Sequence, residues 1–388
     1  MNLKTRKIKV ALLTVIVLIT GFLITVSLAG VQEQGVSRNT ITIGMANALT
    51  GPASALGTGM KNGALAYFKK INARGGVNGR SITVISYDDG YEPKRTVDAT
   101  NKLVYEDKVF ALFGYVGTPT STAIMPVINK EKMIYWGPFT GAEFLRNPVN
   151  QNIFNVRGSY FDEAETQVKY LTDKLAKTKI GVFIQNDAYG LAVKGGVVKA
   201  LKSRNIELAG EGTYERNTEQ VDTGLAALKA TNPDAVIMVG TYKAMAAFIK
   251  KAKAQGFNPL FLNVSFVGTA ALVKELAGTG DGVVITQVMP SPYDTSLPII
   301  KQYQADMKAA GYGELDYTDL EGYIDAVVFV EVLKKAGTQL TRDAFTKAAE
   351  GLNASVGGLS FSFSATNHQA ISKIYLTKIS GNKVVAVN

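Results

Sequence analysis

The feature that most restricts the fold is an alternation. Short runs of β-branched and aromatic residues recur along the chain, separated by stretches with the three-to-four spacing of an amphipathic helix, at a period of about 25–30 residues. The runs predict strands at 40–48, 81–88, 109–116, 133–138, 179–185, 206–213, 235–240, 260–264 and 282–288. The clearest helix covers 55–73, where Leu56, Met60, Ala64, Phe68 and Ile71 share one face; it stops at Gly75-Gly76, and Asn78-Gly79 turns the chain into the next strand. Two segments depart from the alternation. Residues 291–313 read as a loop and then a long helix, and residues 358–388 read as β-structure alone. This pattern predicts an α/β chain built as two doubly wound parallel-sheet lobes, with the chain crossing between them more than once. Ligands of such sheets bind beyond the carboxyl ends of the strands, so the turns that follow the strands are where function is sought.

Length and charge narrow the class. With 388 residues, 46% of them hydrophobic, the chain can fill two cores. The formal charge is +10, but Lys4, Arg6, Lys7 and Lys9 lie in the first nine residues, and the remaining cations alternate with acids, as in Lys94-Arg95 near Asp98. No arginine-rich or aromatic-interleaved block appears, so no nucleic-acid partner is expected. The basic start precedes an apolar run over 10–28 and the small residues Ser27, Ala29 and Gly30, which predicts a signal peptide over 1–29 cleaved after Ala29. An uncleaved run of that length is the alternative, a membrane anchor. There is no cysteine to carry a lipid at the junction, to form disulfides or to bind metal. A periplasmic protein is expected.

The titratable inventory argues against an enzyme. The one histidine, His368, lies between Asn367 and Gln369 and reads as a surface turn residue, which leaves serine or cysteine nucleophiles without a base. No Asp/Glu group has the spacing of a metal loop, and the acidic pairs Asp88-Asp89, Glu106-Asp107 and Asp162-Glu163 read as turn or helix-end residues. Gly57 and Gly59 lack the third glycine of a dinucleotide fingerprint. Neither cofactor nor metal is expected. What remains are turns rich in hydroxyls. In Gly117-Thr118-Pro119-Thr120-Ser121, Thr118 stands where an N-cap precedes a first-turn proline, and free amides there favour an anion. Thr140-Gly141-Ala142 follows the next strand. From the second half come Asp187-Ala188-Tyr189-Gly190, Thr241-Tyr242 and Ser265-Phe266, which would complete a cleft between lobes.

The segment carrying Thr50-Gly51-Pro52, Gly57, Gly63-Ala64, Ile71-Asn72, Gly75-Gly76, Gly79, Asp88-Asp89 and Pro93 resembles the periplasmic solute-binding proteins of branched-chain amino acid ABC transporters, of the type I binding-protein fold. The likeness extends over nearly the whole chain beyond residue 29. It implies a three-segment hinge, one lobe from 38–157 plus 289–355 and the other from 158–288 plus 356–388. It also implies a clamshell that closes on a small molecule and then meets permease and ATPase subunits as a monomer. By the same resemblance the ligand carboxylate is held at Thr118 and by the turn of Pro138 and Thr140, Tyr189, Thr241 and Tyr242 contribute from the second lobe, and Leu56 lines the side-chain pocket.

One departure bears on the ligand. Where amino-acid binders of this family place a glutamate for the ligand ammonium, this chain has Ser265. A buried ammonium needs a compensating charge or several acceptors, for which Glu321 and Asp187 are candidates. Otherwise the ligand is a carboxylate, an amide or an aromatic acid without an ammonium. Arg157, at the expected first crossing, is a candidate partner for a ligand carboxylate or for Glu163. The expected function is solute capture for an importer. A sensor subunit signalling through a separate partner is the alternative.

Overall fold

The computed structural model describes residues 33–387, so the expected signal segment lies outside the described residues. Its first sheet has five parallel strands: β1 (Thr40–Asn47), β2 (Ser81–Asp88), β3 (Ala111–Phe113), β4 (Ile134–Trp136) and β5 (Ile153–Phe154), in the order β2-β1-β3-β4-β5. The second contains β6 (Ile180–Gln185), β7 (Gly210–Tyr214), β8 (Ala235–Val239), β9 (Leu260–Asn263) and β10 (Val284–Gln287), all parallel. Two antiparallel strands from the tail, β11 (Tyr375–Ser380) and β12 (Lys383–Ala386), extend it beside β10. Strands covered by helices on both faces are apolar throughout rather than alternating, and every residue of Ile180–Gln185 and Ala235–Val239 is buried.

Each of the nine strands read from the sequence has its counterpart, with shorter ends where glycine intervenes. Gly114 and Gly137 sit at φ 61° and 55° directly after β3 and β4, a conformation that breaks the ladder and turns the chain out of the sheet. The two-residue β5 carries no periodicity to detect. The helix expected at 55–73 is α1 (Ser54–Ala73), and the one expected in 291–313 is α2 (Pro298–Ala310). A further helix, α3 (Tyr317–Ala336), is unmarked by periodicity because it is buried nearly all round, from Tyr317 through Val330 without interruption.

Helix α3 crosses α1 at unusually short range, and glycine makes this feasible on both sides. A Cβ at Gly63 would overlap the Asp319 carbonyl oxygen, and one at Gly322 would overlap that of Met60. Around this crossing Phe68, Phe113, Phe329, Phe345 and Trp136 pack edge to face.

The chain passes between the sheets three times, after β5, after β10 and before β11. Two of the crossings lie side by side: Asn155 donates its N–H to the His368 carbonyl (2.8 Å), Ala370 donates to Asn155 (2.9 Å) and Ile371 to Val156 (3.0 Å). His368, read from the sequence as a surface turn residue, is instead buried at this crossing. Its ring stacks on Phe154 with centroids 4.2 Å apart and its Nδ1 lies 2.9 Å from the Ile153 carbonyl. A two-stranded hairpin, Asn353–Val356 with Leu359–Ser362, precedes the last crossing. The lobe boundary expected at 356 falls inside it, and Phe361 and Phe363 pack in the core of the first sheet. Among the described residues no helix is long and apolar enough to cross a membrane.

Replacing Gly322 with alanine should lower the thermal midpoint, with a loss of about 1–3 kcal/mol measured by denaturant unfolding, because the new methyl must push α1 and α3 apart.

Candidate functional site

The turns after the strands converge on the space between the lobes. Helix α4 (Thr118–Glu131) follows β3, and its cap is Gly117 rather than Thr118. Gly117, at φ 111°, takes the cap because a Cβ there would strike the Tyr91 ring, and Thr118 becomes the first helical residue with no capping bond. Its hydroxyl shares a 2.7 Å hydrogen bond with that of Thr140, and Thr140 Oγ1 also lies 3.4 Å from the Tyr160 hydroxyl. Thr140 is held in its turn by its own N–H, which donates to the Pro138 carbonyl at 2.7 Å. The hydroxyls of Thr120 and Ser121 bond back to the carbonyls of Val116 and Gly117 and serve the helix start.

Behind the Thr140 turn lies a buried cation. The Arg146 guanidinium donates to the carbonyls of Ala142 (3.0 Å), Thr140 (3.3 Å) and Arg157 (3.2 Å) and to Gln369 Oε1 (2.7 Å). Among the described residues no carboxylate stands within ion-pair distance of it, and burial, aided by Arg157, pulls its pKa down to about 10.

The second lobe brings Tyr189, in the first turn of α5 (Ala188–Lys202), and Thr241, which precedes α6 (Tyr242–Ala254). The Tyr189 side chain is fully buried, its ring 4.5 Å from that of Phe266 and 5.4 Å from that of Tyr160, and its hydroxyl has no hydrogen-bond partner. Thr241 donates its N–H to the Tyr214 hydroxyl at 3.3 Å. Tyr242 reaches the other lobe, where its hydroxyl accepts from Ala55 N–H at 3.4 Å, and Leu56 packs into the same apolar cluster as Tyr189, Tyr242 and Phe266. Asp187 is the N-cap of α5, accepting from Tyr189 N–H (2.9 Å), Gln185 Nε2 (2.7 Å) and Arg216 (3.1 Å).

Ser265, Arg157 and Glu321 form one buried group with Glu163. Arg157 pairs with Glu163 at 3.2 Å and Glu321 at 3.3 Å, and donates to the Ser265 hydroxyl. Glu163 also accepts from Ser265 N–H (2.7 Å), the Ser265 hydroxyl (2.9 Å) and Thr286 Oγ1 (2.6 Å). Burial works against the charge on Arg157, but the two carboxylates outweigh it and raise its pKa. Burial pushes Glu321 up to about 7 against the pull of Arg157. One turn further along α3, Asp325 is buried with neither oxygen partnered and packs against Gly137; burial, then Glu321, push its pKa far above the usual carboxylate range.

Of the eleven residues singled out in the sequence, Leu56, Thr140, Tyr189, Tyr242, Ser265, Arg157 and Glu321 make contacts from one lobe to the other, Thr118 bonds to Thr140, Asp187 serves as a cap, and the contacts described for Pro138 and Thr241 stay within their own lobes. Sequence reasoning did not weigh Tyr91, Phe139, Tyr160 or Arg146. It quoted Phe266 beside Ser265 without giving it a role. The aromatic residues close the centre: Phe266 stands 5.2 Å from Phe139 and 6.0 Å from Tyr91, both from the first lobe. A crevice too narrow for a water molecule runs between Phe139, Ser265, Thr318 and Glu321. Elsewhere along the boundary the lobes are latched by Arg216, which pairs with Glu92 at 2.8 Å, and by Asn217, which donates to Glu92 (2.6 Å) and the Gly90 carbonyl (3.1 Å).

Two lobes on adjacent crossings, with polar turns from both facing a shared boundary and bonds reaching over it, define a clamshell binding protein. The chain belongs to the family described as periplasmic binding protein, whose profile matches residues 40–383. It is 26% identical to the leucine-specific-binding protein of Salmonella typhimurium over 71% of this chain and 75% of that one. The structure of a possible leucine/isoleucine/valine-binding protein from Rhodopirellula baltica superposes with a TM-score of 0.86 at 34% identity, covering 92% of this chain and 98% of that one. A fatty acid ABC transporter substrate-binding protein from Thermomonospora curvata gives 0.83 at 25% identity, covering 92% and 93%. These relatives bind substrates and are not enzymes, and the chain is a solute-binding protein of the same fold.

Removing the latch should favour separation of the lobes. Arg216→Ala is expected to cost the closed form about 0.2–1 kcal/mol, the range of a partly exposed ion pair, and to increase the radius of gyration by small-angle scattering, less so at high salt. Asp325 should tie stability to pH. Its folded pKa lies above the unfolded value, so the folded state keeps a proton that the unfolded state has released, and stability falls as pH rises above about 4. Asp325→Asn, which leaves Glu321 and Arg157 to face an uncharged amide, should make stability fall less steeply with rising pH than in the unsubstituted protein, read from thermal melts over a pH series.

Proposed function

We propose that this chain is the periplasmic solute-binding component of an ABC importer, which captures an amino acid or a related small carboxylate or amide between its lobes and presents the closed form to permease and ATPase subunits. The observation that carries the reading is the pair of turns at Thr118 and Thr140, whose buried hydroxyls meet at 2.7 Å beside the start of α4 and face the second lobe. A helix start supplies unpaired N–H groups and a favourable dipole, so a carboxylate placed there accepts bonds from hydroxyl and amide donors. The names of the relatives support both parts of the reading, since they include amino-acid binders and an importer component.

Binding works through closure. A ligand held by the first lobe gains contacts from Tyr189, Thr241 and Ser265 when the lobes meet, and this difference in contacts between open and closed forms draws the equilibrium to the closed side. Secretion by the cleaved segment over 1–29, hinging near residues 157 and 289, and a monomeric state complete the proposal.

A thermal-shift screen of amino acids, carboxylates and amides tests it. A cleft ligand at a hundred times its Kd should add about 2.7 kcal/mol of stability. Thr118→Ala and Thr140→Ala should each weaken that ligand by about 1–3 kcal/mol in calorimetry, and less than additively together because the two hydroxyls share one bond. Unchanged affinity in both variants would remove the carboxylate from these turns.

A further inference from the structure

Nine residues other than glycine take a positive φ among the described residues, and Tyr91, at 61°, is the one aromatic among them. The left-handed region crowds a Cβ against its own backbone, so a bulky side chain stays there only where the surroundings hold it. Here the first lobe holds it. Asp89 accepts the Tyr91 N–H at 2.8 Å and the Thr96 hydroxyl at 2.9 Å. Asp88 accepts the Gly90 N–H (2.9 Å) together with the amides of Leu49 (2.9 Å) and Thr50 (3.2 Å). What this fixed turn presents to the boundary is the Tyr91 side chain, which is fully buried.

On one side the ring lies against Gly117, where an added Cβ would come within 2.3 Å of it, directly before Thr118. The ring contact and the side-chain hydrogen bond of Tyr91 both cross to the second lobe: its centroid stands 6.0 Å from that of Phe266, and its hydroxyl accepts from Gln185 Nε2 at 3.2 Å. Gln185 spends its other groups within its own lobe, donating to Asp187 at 2.7 Å and accepting from the Tyr214 hydroxyl at 3.1 Å, so its amide is complete only with the lobes together. The residues flanking Tyr91 cross in the same way, Gly90 to Asn217 and Glu92 to Arg216 and Asn217. Three consecutive residues of one lobe thus engage the other. Parting the lobes would put the ring in water on a backbone conformation that Asp88 and Asp89 continue to impose, so the burial of that ring is gained only in the closed form.

We propose that Tyr91 is a positioning residue for closure: an aromatic strut, set by Asp88 and Asp89 in the first lobe, that docks in the second and maintains a closed population before any solute arrives. Solute entry then waits on the undocking of this turn, because the boundary shut on these rings leaves a crevice too narrow for a water molecule. The inference rests on the solute-binding reading only in taking the lobes to part, and its test uses no solute, so its failure leaves the thermal-shift screen to decide that reading separately.

The chain has no cysteine, so one introduced at exposed Lys130 on α4 and one at exposed Lys202 on α5 can carry a spin label in each lobe. Double electron–electron resonance on the full described chain, dialysed free of solute, then reads the ratio of short to long distances. Tyr91→Gly keeps the left-handed backbone and removes the ring; it is expected to lower this ratio about tenfold or more. Tyr91→Phe, which loses only the Gln185 bond, should lower it about threefold, and this partial rescue separates docking of the ring from a general loss of structure. Asn217→Gly keeps the positive φ of 59° and removes the bonds to Gly90 and Glu92, and should lower the ratio about twofold or more. An unchanged ratio in Tyr91→Gly, or the absence of a short distance in the protein with Tyr91 intact, overturns the inference. Should Tyr91→Gly fail to fold by circular dichroism, unchanged ratios in both Tyr91→Phe and Asn217→Gly overturn it instead.

Discussion

Arg157 is the point on which both lobes depend. Its side chain is buried at the first crossing, with Glu163 of one lobe on one side and Glu321 of the other on the opposite side. Stripping water from three charges costs several kcal/mol per ion, and the mutual attraction recovers this only if the remaining donors and acceptors are also satisfied. That requirement accounts for the surroundings of the group: Ser265 and Thr286 fill the free positions on Glu163, and Phe139 lies beside the guanidinium. The ion group therefore sets where α3, β10 and the turn after β9 come to rest relative to one another. Such a group gives positional definition more than stability.

The same constraint governs the other carboxylates of the boundary. Glu163 is taken up by Arg157, Ser265 and Thr286, and Asp187 by Tyr189 N–H, Gln185 and Arg216. The apolar part of the boundary is likewise shared, because Tyr189 and Phe266 belong to the second lobe while Tyr91 and Phe139 belong to the first.

Much of this was legible in the sequence, for physical reasons that differ by element. The parallel strands announce themselves because burial on both faces demands unbroken apolar runs, as in Ile180–Gln185. Helix α1 shows because one of its faces meets solvent and gives it a period. Helix α3 has no such contrast, and β5 is too short to have any. The hydroxyl turns stood out because a threonine beside a proline or glycine after a strand has few structural duties. Sequence reasoning put the cap one residue late, at Thr118, since only the backbone geometry of Gly117 reveals which residue leaves the helix. Arg146 and Tyr160 were missed because an arginine in a loop and a tyrosine opening a helix look ordinary until the fold folds water away from them. His368 was misplaced for the same reason: its neighbours Asn367 and Gln369 are those of a surface turn, while its ring lies on Phe154.

The crossings have a consequence for motion. Residues 155–156 and 368–371 are hydrogen-bonded as a short ribbon, so they cannot slide past one another without breaking three backbone bonds. Bending about the line of the ribbon leaves those bonds intact, so the paired segments resist sliding of one lobe over the other more than rotation about their own axis.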